Sequence, residues 1–285
     1  MCRALSGTVW NQRRRTPRWT AVSYAFDNET RIEQIDANRF STTLTGEWNI
    51  GDNPNGGYLL ASLQRAMGMV SGHPDPLSVT THYLRPGEVG PADIEVDLIR
   101  TGRTIGTVRG RLIQNGKTKI ESIAAFTDLT SGAHVADVSV EMPDMPPPDE
   151  CPSREVLTQG VDLSIMNRID VRIHPDHVLG ATGRDPLIHG WIRFHDERPV
   201  DAAALTLFAD AFPPPLFALV GRIGWVPTIE LTVQLRRRPV EGWILGSFQT
   251  SDIAGTRTIE DGWLWDASGQ LVAMARQVGL VLNAG

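Results

Sequence analysis

The pattern of apolar and polar positions first predicts a helix and then a run of strands. Apolar side chains recur at helical spacing over residues 59–70, directly after a dense turn signal at 51–58. Four segments rich in Val, Ile and Thr follow, as is typical of strands, at 77–84, 92–100, 104–114 and 118–129. Asn115-Gly116 between the last two predicts a tight hairpin.

The second part of the chain repeats this order. A helical run at 202–211 ends before three consecutive prolines, and strand-like segments follow at 228–237, 243–250, 257–265 and 270–282. A Ser268-Gly269 turn takes the place of Asn115-Gly116, and residues 78–85 resemble residues 229–236. We therefore predict one helix followed by about four antiparallel strands, twice.

The same pattern divides the chain into domains. Residues 23–137 and 161–285 are the two predicted copies. Residues 138–160 contain five prolines among acidic side chains and indicate an extended linker. Residues 1–22 are basic and contain no apolar run of the kind that a secretory signal needs, so we expect a disordered extension.

Composition narrows the possible functions. The net charge of −6 gives no general attraction to nucleic acid or membrane surfaces, and no apolar run approaches the roughly 18 residues that span a bilayer. Two distant cysteines, Cys2 and Cys151, form no disulfide framework, and no Cys or His spacing indicates a metal site. The chain has no Gly-x-Ser-x-Gly elbow, phosphate-binding loop or dinucleotide signature, so we expect no cofactor. The cytoplasm is the expected compartment.

Four short motifs together resemble the acyl-CoA thioesterase superfamily, in its double hot-dog branch related to bacterial thioesterase II. They are Trp48 with residues 55–61, then residues 208–210, 227–232 and 269–277. The resemblance runs from about residue 30 to the C-terminus. It implies an α+β double hot-dog fold, in which two helix-wrapped antiparallel sheets form a pseudo-dimer. It also implies a small-molecule acyl-CoA substrate and further assembly into a homo-oligomer, a dimer of double hot-dogs.

The resemblance also assigns roles to individual residues. In the family, an Asp, a Thr or Ser and a Gln orient a water, and these roles fall on Asp210, Thr232 and Gln277. The thioester oxygen lies at the start of the first helix, here residues 56–58, so Gly56, Gly57 and Tyr58 are the candidate binding residues. The family usually has Asp-His before the Ser or Thr, whereas Glu230-Leu231 stand here.

These residue types suit thioester hydrolysis. A carboxylate can act as general base for a water, and none of the three side chains is a strong nucleophile without a basic partner. Adjacent glycines allow close approach to the free N–H groups of a helix start. Asp210 near a helix C-terminus opposes the helix dipole, so we expect a compensating contact.

Sliding the first copy onto the second predicts one working site per chain. The slide places Ala66 near Asp210, Thr81 near Thr232 and Ala124 near Gln277, which removes two of the three polar groups from the first copy.

Two further groups of residues have expected roles in substrate binding. Arg85, Arg236 and Arg237 could contact the CoA phosphates, although a solvated basic turn is an equal alternative. An apolar acyl tunnel is predicted from four side chains, Leu59, Leu63, Phe208 and Phe212.

The predicted reaction is hydrolysis of acyl-CoA to free acid and CoA. The first alternative is a hot-dog hydratase or dehydratase, which usually has a histidine a few residues after its aspartate, and none follows Asp210. The second alternative is a non-catalytic protein that binds acyl-CoA or lipid.

Overall fold

The computed structural model describes residues 23–131, 138–154, 161–178, 185–221 and 226–282. The expected N-terminal extension lies outside them. The helices are α1 (Ala25–Glu29), α2 (Gly56–Ser71), α3 (Ala202–Phe208) and α4 (Phe217–Val220). The first-half strands are β1 (Ile32–Gln34), β2 (Arg39–Leu44), β3 (Asn49–Ile50), β4 (Asn53–Pro54), β5 (Asp75–Tyr83), β6 (Gly90–Thr101), β7 (Gly106–Gln114) and β8 (Lys117–Thr127). The second-half strands are β9 (Ile169–Ile173), β10 (Leu187–Phe194), β11 (Thr228–Leu235), β12 (Ile244–Ala254), β13 (Arg257–Trp265) and β14 (Leu271–Leu280).

Twelve of the described strands form one antiparallel sheet in the order β1-β2-β6-β7-β8-β5-β11-β14-β13-β12-β10-β9. The second six strands repeat the order of the first six in reverse, as a twofold axis between β5 and β11 requires. This confirms the predicted α+β double hot-dog fold with its two tandem copies.

Local signals explain where the main elements end. Gly72, in the left-handed conformation with φ 75°, ends α2. Asn115 and Gly116 also have positive φ and form the tight turn between β7 and β8, as their sequence predicts. The helical run predicted to reach residue 211 stops at Phe208, so Asp210 follows α3 instead of lying within it.

The two halves share one core on the inner face of the sheet, where α2 and α3 pack against each other. Gly57 makes their close approach possible, because a Cβ there would lie 2.9 Å from Leu207 Cα. Thr206 adds a hydrogen bond of 2.7 Å from its hydroxyl to Gln64 Oε1. The halves therefore form one folded unit.

The predicted linker packs on the outer face of the second half. Trp191 and Trp265 donate their indole N–H groups to the carbonyl oxygens of Pro146 and Val140, at 2.8 and 3.0 Å. Met145 adds an apolar contact to the same cluster. The described part of the segment therefore covers apolar surface on the second half.

A substitution that adds a methyl group at the contact between α2 and α3 tests the close helix approach. We expect Gly57→Ala to destabilise the fold by about 1–3 kcal/mol, because the new methyl group meets the backbone of α3. Gly68→Ala is the matched control in the same helix, where the nearest atom to the new Cβ is a Phe126 ring carbon at 3.4 Å. The control should be neutral or stabilising by up to about 1 kcal/mol. Urea unfolding measures both, and equal midpoints would contradict the assigned helix contact.

Candidate active site

The start of α2 is held by its N-cap residue, Asn55. The Asn55 side-chain oxygen accepts a hydrogen bond from the N–H of Tyr58 at 3.0 Å. Its amide nitrogen donates to Asp210 of the second half, at 2.9 Å to Oδ2 and 3.0 Å to the backbone oxygen. One asparagine thus caps the first-half helix and fixes the second-half aspartate.

Asp210 lies directly on the N-terminus of α2. Its Oδ2 accepts the N–H of Gly57 at 2.8 Å, in addition to the Asn55 amide. The carboxylate therefore faces the positive end of one helix while following the negative end of another. This contact is the compensation that the sequence required.

Burial dominates the electrostatics of Asp210. It raises the pKa of the carboxyl to about 6, against the lowering effect of hydrogen bonds from Gly57, Asn55 and Gly56. The group is therefore mostly ionised at neutral pH and gains a proton in mildly acidic solution. A base with this pKa is suited to take a proton from water at pH 7.

A cavity of about 430 Å³ opens beside this contact. Its apolar walls include Leu59, Phe212 and Phe217, and its polar walls include Asp210, Gln277 and Thr228. Of the four side chains predicted to line an acyl tunnel, Leu59 and Phe212 are therefore in place. Leu63 and Phe208 are instead fully buried core residues.

Gln277 lies on the inner face of β14, opposite the buried Leu231 of β11. Its amide oxygen accepts the hydroxyl of Thr228 at 3.4 Å. Asp210, Gln277 and Thr228 therefore meet at one cavity, although they are distant in sequence.

The structure places the predicted Thr232 elsewhere, and Thr228 takes its place at the cavity. The adjacent strands β5 and β11 form the seam between the two halves. Thr232 of β11 pairs with Thr80 of β5 across this seam, and their hydroxyls share a hydrogen bond of 3.0 Å. Its hydroxyl also donates to Glu230 Oε1 at 2.5 Å. Thr232 alternates with the buried Leu231, so it faces away from the core.

A β-bulge explains the error. Thr228 and Glu230 of β11 pair with the adjacent residues Gly279 and Val278 of β14, which leaves one extra residue on β11. Without the bulge, Thr228 would share a face with Glu230 and Thr232. The extra residue reverses the alternation and turns Thr228 toward the cavity.

The three residues predicted to bind the thioester oxygen have different positions. Gly56 lines the cavity. The N–H of Gly57 is taken by Asp210, and the N–H of Tyr58 is taken by Asn55. The Tyr58 ring is fully buried, and its hydroxyl donates to the Glu29 carbonyl oxygen. Only Gly56 therefore stands at the surface of the site.

The predicted CoA-binding arginines lie at opposite ends of the seam. Arg85 follows β5 and lines the cavity. Arg236 and Arg237 follow β11, and Arg237 lines a second cavity of about 770 Å³. Because β5 and β11 are antiparallel, matching turns of the two copies lie far apart. Arg236 and Arg237 are thus misassigned to this site, and Arg85 remains a candidate.

The second cavity is the first copy's counterpart of the site. Strands β5 and β11 each contain a bulge at the same place. It lies between Pro76 and Ser78 in β5 and between Thr228 and Glu230 in β11, so Pro76 corresponds to Thr228. In that register Thr232 corresponds to Thr80 and not to the predicted Thr81. The pairings of β8 and β14 put Ala124 in the place of Gln277, as predicted.

The helices complete the comparison of the two copies. Gln64 lies nine residues after Asn55, the N-cap of α2, and Asp210 lies nine residues after Asp201, the N-cap of α3. Gln64 is therefore the counterpart of Asp210, in place of the predicted Ala66. At the positions equivalent to Asp210, Thr228 and Gln277, the first copy therefore has Gln64, Pro76 and Ala124.

Sequence reasoning missed several polar residues at the first cavity. Glu260 of β13 is only 7% exposed and lines the same wall as Gln277. Tyr83 also lines the cavity. An inward alternation of Thr258, Glu260 and Leu264 along β13 is visible in the sequence and could have indicated a buried carboxyl.

No group of three or more His, Cys, Asp or Glu side chains in the part of the chain that the structure describes is arranged to hold a metal ion. Among the same residues, no helix combines the length and apolar character that a membrane crossing needs.

Two family models match the chain. The acyl-CoA thioesterase N-terminal domain matches residues 44–127, and the acyl-CoA thioesterase C-terminal domain matches residues 141–281. The chain belongs to the acyl-CoA thioesterase family. The C-terminal model begins within the predicted linker, in agreement with the packing of that segment on the second half.

Individual proteins are similar to this thioesterase family member over most of its length. A crystal structure of a candidate thioesterase II from Thermobifida fusca is 31% identical, with a TM-score of 0.82 over 91% of this chain and 98% of that one. A hot-dog protein of unknown function from Alicyclobacillus acidocaldarius is 24% identical, with a TM-score of 0.81 over 93% and 100%. An uncharacterized Mycobacterium tuberculosis protein is 27% identical over 85% of this chain and 90% of its own length.

The raised pKa of Asp210 predicts a pH-dependent gain in stability for Asp210→Asn. Folding takes up a proton at Asp210 between about pH 4 and pH 6, so the folded state loses stability as pH rises through that window. The Asp210→Asn variant does not have this loss. Its free energy of unfolding, relative to that of the native chain, should therefore rise by on the order of 3 kcal/mol between pH 4 and pH 7. Urea unfolding at several pH values measures it.

Asp252→Asn is the control for that experiment, since Asp252 is an exposed aspartate. It shows the effect of the same substitution at an exposed position of the chain. A pH-independent difference for Asp210→Asn would contradict the burial of its charge.

Proposed function

We propose that this chain hydrolyses acyl-CoA thioesters to a free acid and CoA, with a water held by Asp210, Thr228 and Gln277. The convergence of these three side chains on one cavity supports the proposal most directly. Membership of the acyl-CoA thioesterase family supports the substrate class. The apolar walls formed by Leu59 and Phe212 suit an acyl group.

Asp210 is the general base in this proposal. Its Oδ2 is engaged by Gly57 and Asn55, so Oδ1 is the atom that accepts a proton from the water. The water oxygen then forms a bond to the thioester carbon, and a tetrahedral oxyanion results. When the oxyanion collapses, the C–S bond breaks, and the proton on Asp210 passes to the leaving sulfur. Thr228 and Gln277 orient the water in this scheme.

The start of α2 contributes to the same step through its dipole. Gly56 brings the helix backbone against the cavity without a Cβ, and a Cβ there would lie 2.7 Å from a ring carbon of Tyr83. The positive end of α2 stabilises negative charge next to the reacting centre. Arg85 at the cavity wall is the candidate contact for a CoA phosphate.

The cavity gives no support to the hydratase or dehydratase alternative. Among the described residues that line it, none is a histidine. The proton transfers of that reaction class would therefore lack their usual imidazole partner.

Release of free thiol from acyl-CoA tests the proposal, and a pair of threonine variants tests its geometry. Thr228→Val should lower kcat by about tenfold or more, because the hydroxyl beside Gln277 is lost. Thr232→Val is the matched control on the same strand and should retain kcat within about twofold. Asp210→Asn should lower kcat by at least about a hundredfold. The assay covers acyl chains from acetyl to palmitoyl.

Three outcomes would count against this assignment. Equal losses in the two threonine variants would contradict the role of Thr228. Full turnover in Asp210→Asn would remove the general base. Binding of acyl-CoA without any release of thiol by the native chain would favour the non-catalytic alternative.

The pH dependence of the reaction follows from Asp210. Since only the ionised carboxyl accepts a proton, kcat/KM should fall about tenfold per pH unit below pH 6. Stopped assays over pH 4–8, with the fold monitored by circular dichroism, measure this limb. A rate that stays constant down to pH 4.5 in folded protein would contradict Asp210 as the base.

A further inference from the structure

A second carboxyl group, Glu260, faces the proposed water site. Glu260 is buried in β13 and lines the cavity together with Asp210 and Gln277. It pairs directly with Gln277 in the sheet, and the Gln277 amide nitrogen donates to its Oε1 at 3.3 Å. The two side chains therefore contact each other on the inner face of the second half.

The surroundings of Glu260 disfavour a negative charge. Within the described part of the chain it makes no ion pair, and its one side-chain hydrogen bond comes from a neutral amide. Burial raises the pKa of Glu260 well above its ordinary value, and the charges of Asp210 and Asp261 add to this effect. Of the two carboxyl groups in this cavity, Asp210 is therefore the ionised base and Glu260 the uncharged acid.

The other titratable groups near Glu260 do not change which of the two carboxyl groups is ionised. Asp261 is the sequence neighbour of Glu260 and pairs with Arg276 at 2.6 Å. Burial raises the pKa of the Tyr83 hydroxyl well above its usual value, with the charges of Asp210 and Glu230 adding to the effect, so Tyr83 stays neutral at physiological pH. Arg154 lines the same cavity and donates to the Ala211 carbonyl oxygen.

Glu260 also determines how the Gln277 amide is turned. The Thr228 hydroxyl donates to the amide oxygen, and the amide nitrogen donates to Glu260. An amide that has a donor on one side and an acceptor on the other has one favoured orientation. Gln277 therefore keeps its second N–H free for the cavity.

The repeat shows that the fold itself does not need a carboxyl at this position. Glu260 pairs with Gln277 in the second half, and Val108 pairs with the matching Ala124 in the first. Val108 is fully buried and apolar. The first copy, which has none of the residues Asp210, Thr228 and Gln277 at the equivalent positions, thus also lacks the carboxyl of Glu260.

We propose that Glu260 is a positioning residue of the hydrolytic site, which as an uncharged acid orients the Gln277 amide toward the water held by Asp210. The inference rests on the proposed thioesterase function. Ionisation of Glu260 would put a second negative charge beside Asp210 and the developing oxyanion, so the reaction should slow when the acid loses its proton.

Two substitutions separate this role from a structural one. Glu260→Gln keeps an uncharged side chain that accepts from Gln277, so kcat at pH 7 should stay within about threefold of the native value. The decline in kcat at alkaline pH should disappear from this variant while the acid limb remains. Glu260→Val copies the first half and should lower kcat about tenfold or more, with KM changed less than about twofold.

The same assay distinguishes failure of this inference from failure of the proposed function. A native chain that releases no thiol would overturn both. Two other results, obtained with an active native chain, would overturn the role of Glu260 alone. One is a Glu260→Val variant with the native kcat. The other is a Glu260→Gln variant whose kcat declines at alkaline pH as that of the native chain does.

Infrared spectroscopy supplies a readout that does not depend on activity or on the Val variant folding. At pH 8 the native chain should show a carboxylic-acid C=O band that is absent from Glu260→Gln. Identical spectra in that region would overturn the uncharged state of Glu260.

Discussion

The contact between Asp210 and the start of α2 is the constraint on which the rest of the site depends. It joins a side chain of one half to the backbone of the other, with Asn55 bonded to both. The helix end makes a buried carboxylate tolerable, and burial brings its basicity close to neutrality. The same few atoms therefore join the two halves and support a buried carboxyl group whose pKa is raised to about 6. Gly57 is essential to this arrangement because the helices could not otherwise approach so closely.

Twofold symmetry explains why the chain has two cavities with different chemistry. The axis passes through the seam at Thr80 and Thr232, which pair with each other on the outer face. Equivalent positions of the copies therefore lie at opposite ends of the seam. At one end stand Asp210, Thr228, Gln277 and Glu260. At the other end the backbone is similar, but the equivalent positions hold Gln64, Pro76, Ala124 and Val108.

Much of the fold could be predicted from periodicity and turns, because strand alternation and dipeptides such as Asn115-Gly116 act locally. Asp210 and Gln277 could be predicted through resemblance. Thr228 could not, since a bulge of one residue reverses a strand's alternation, and pairing decides where a bulge forms. The misassignment of Arg236 and Arg237 has a different cause. A repeat in sequence suggests that equivalent residues lie together, whereas a twofold axis separates them.

The covalent joining of the two copies has a consequence for how such a site can change over generations. In a dimer of identical chains, every substitution appears on both sides of the axis, so a residue useful in one cavity is imposed on the other. In this chain each copy is encoded separately. A valine at residue 108 can coexist with a glutamate at residue 260, and one cavity can become specialised while the other drifts.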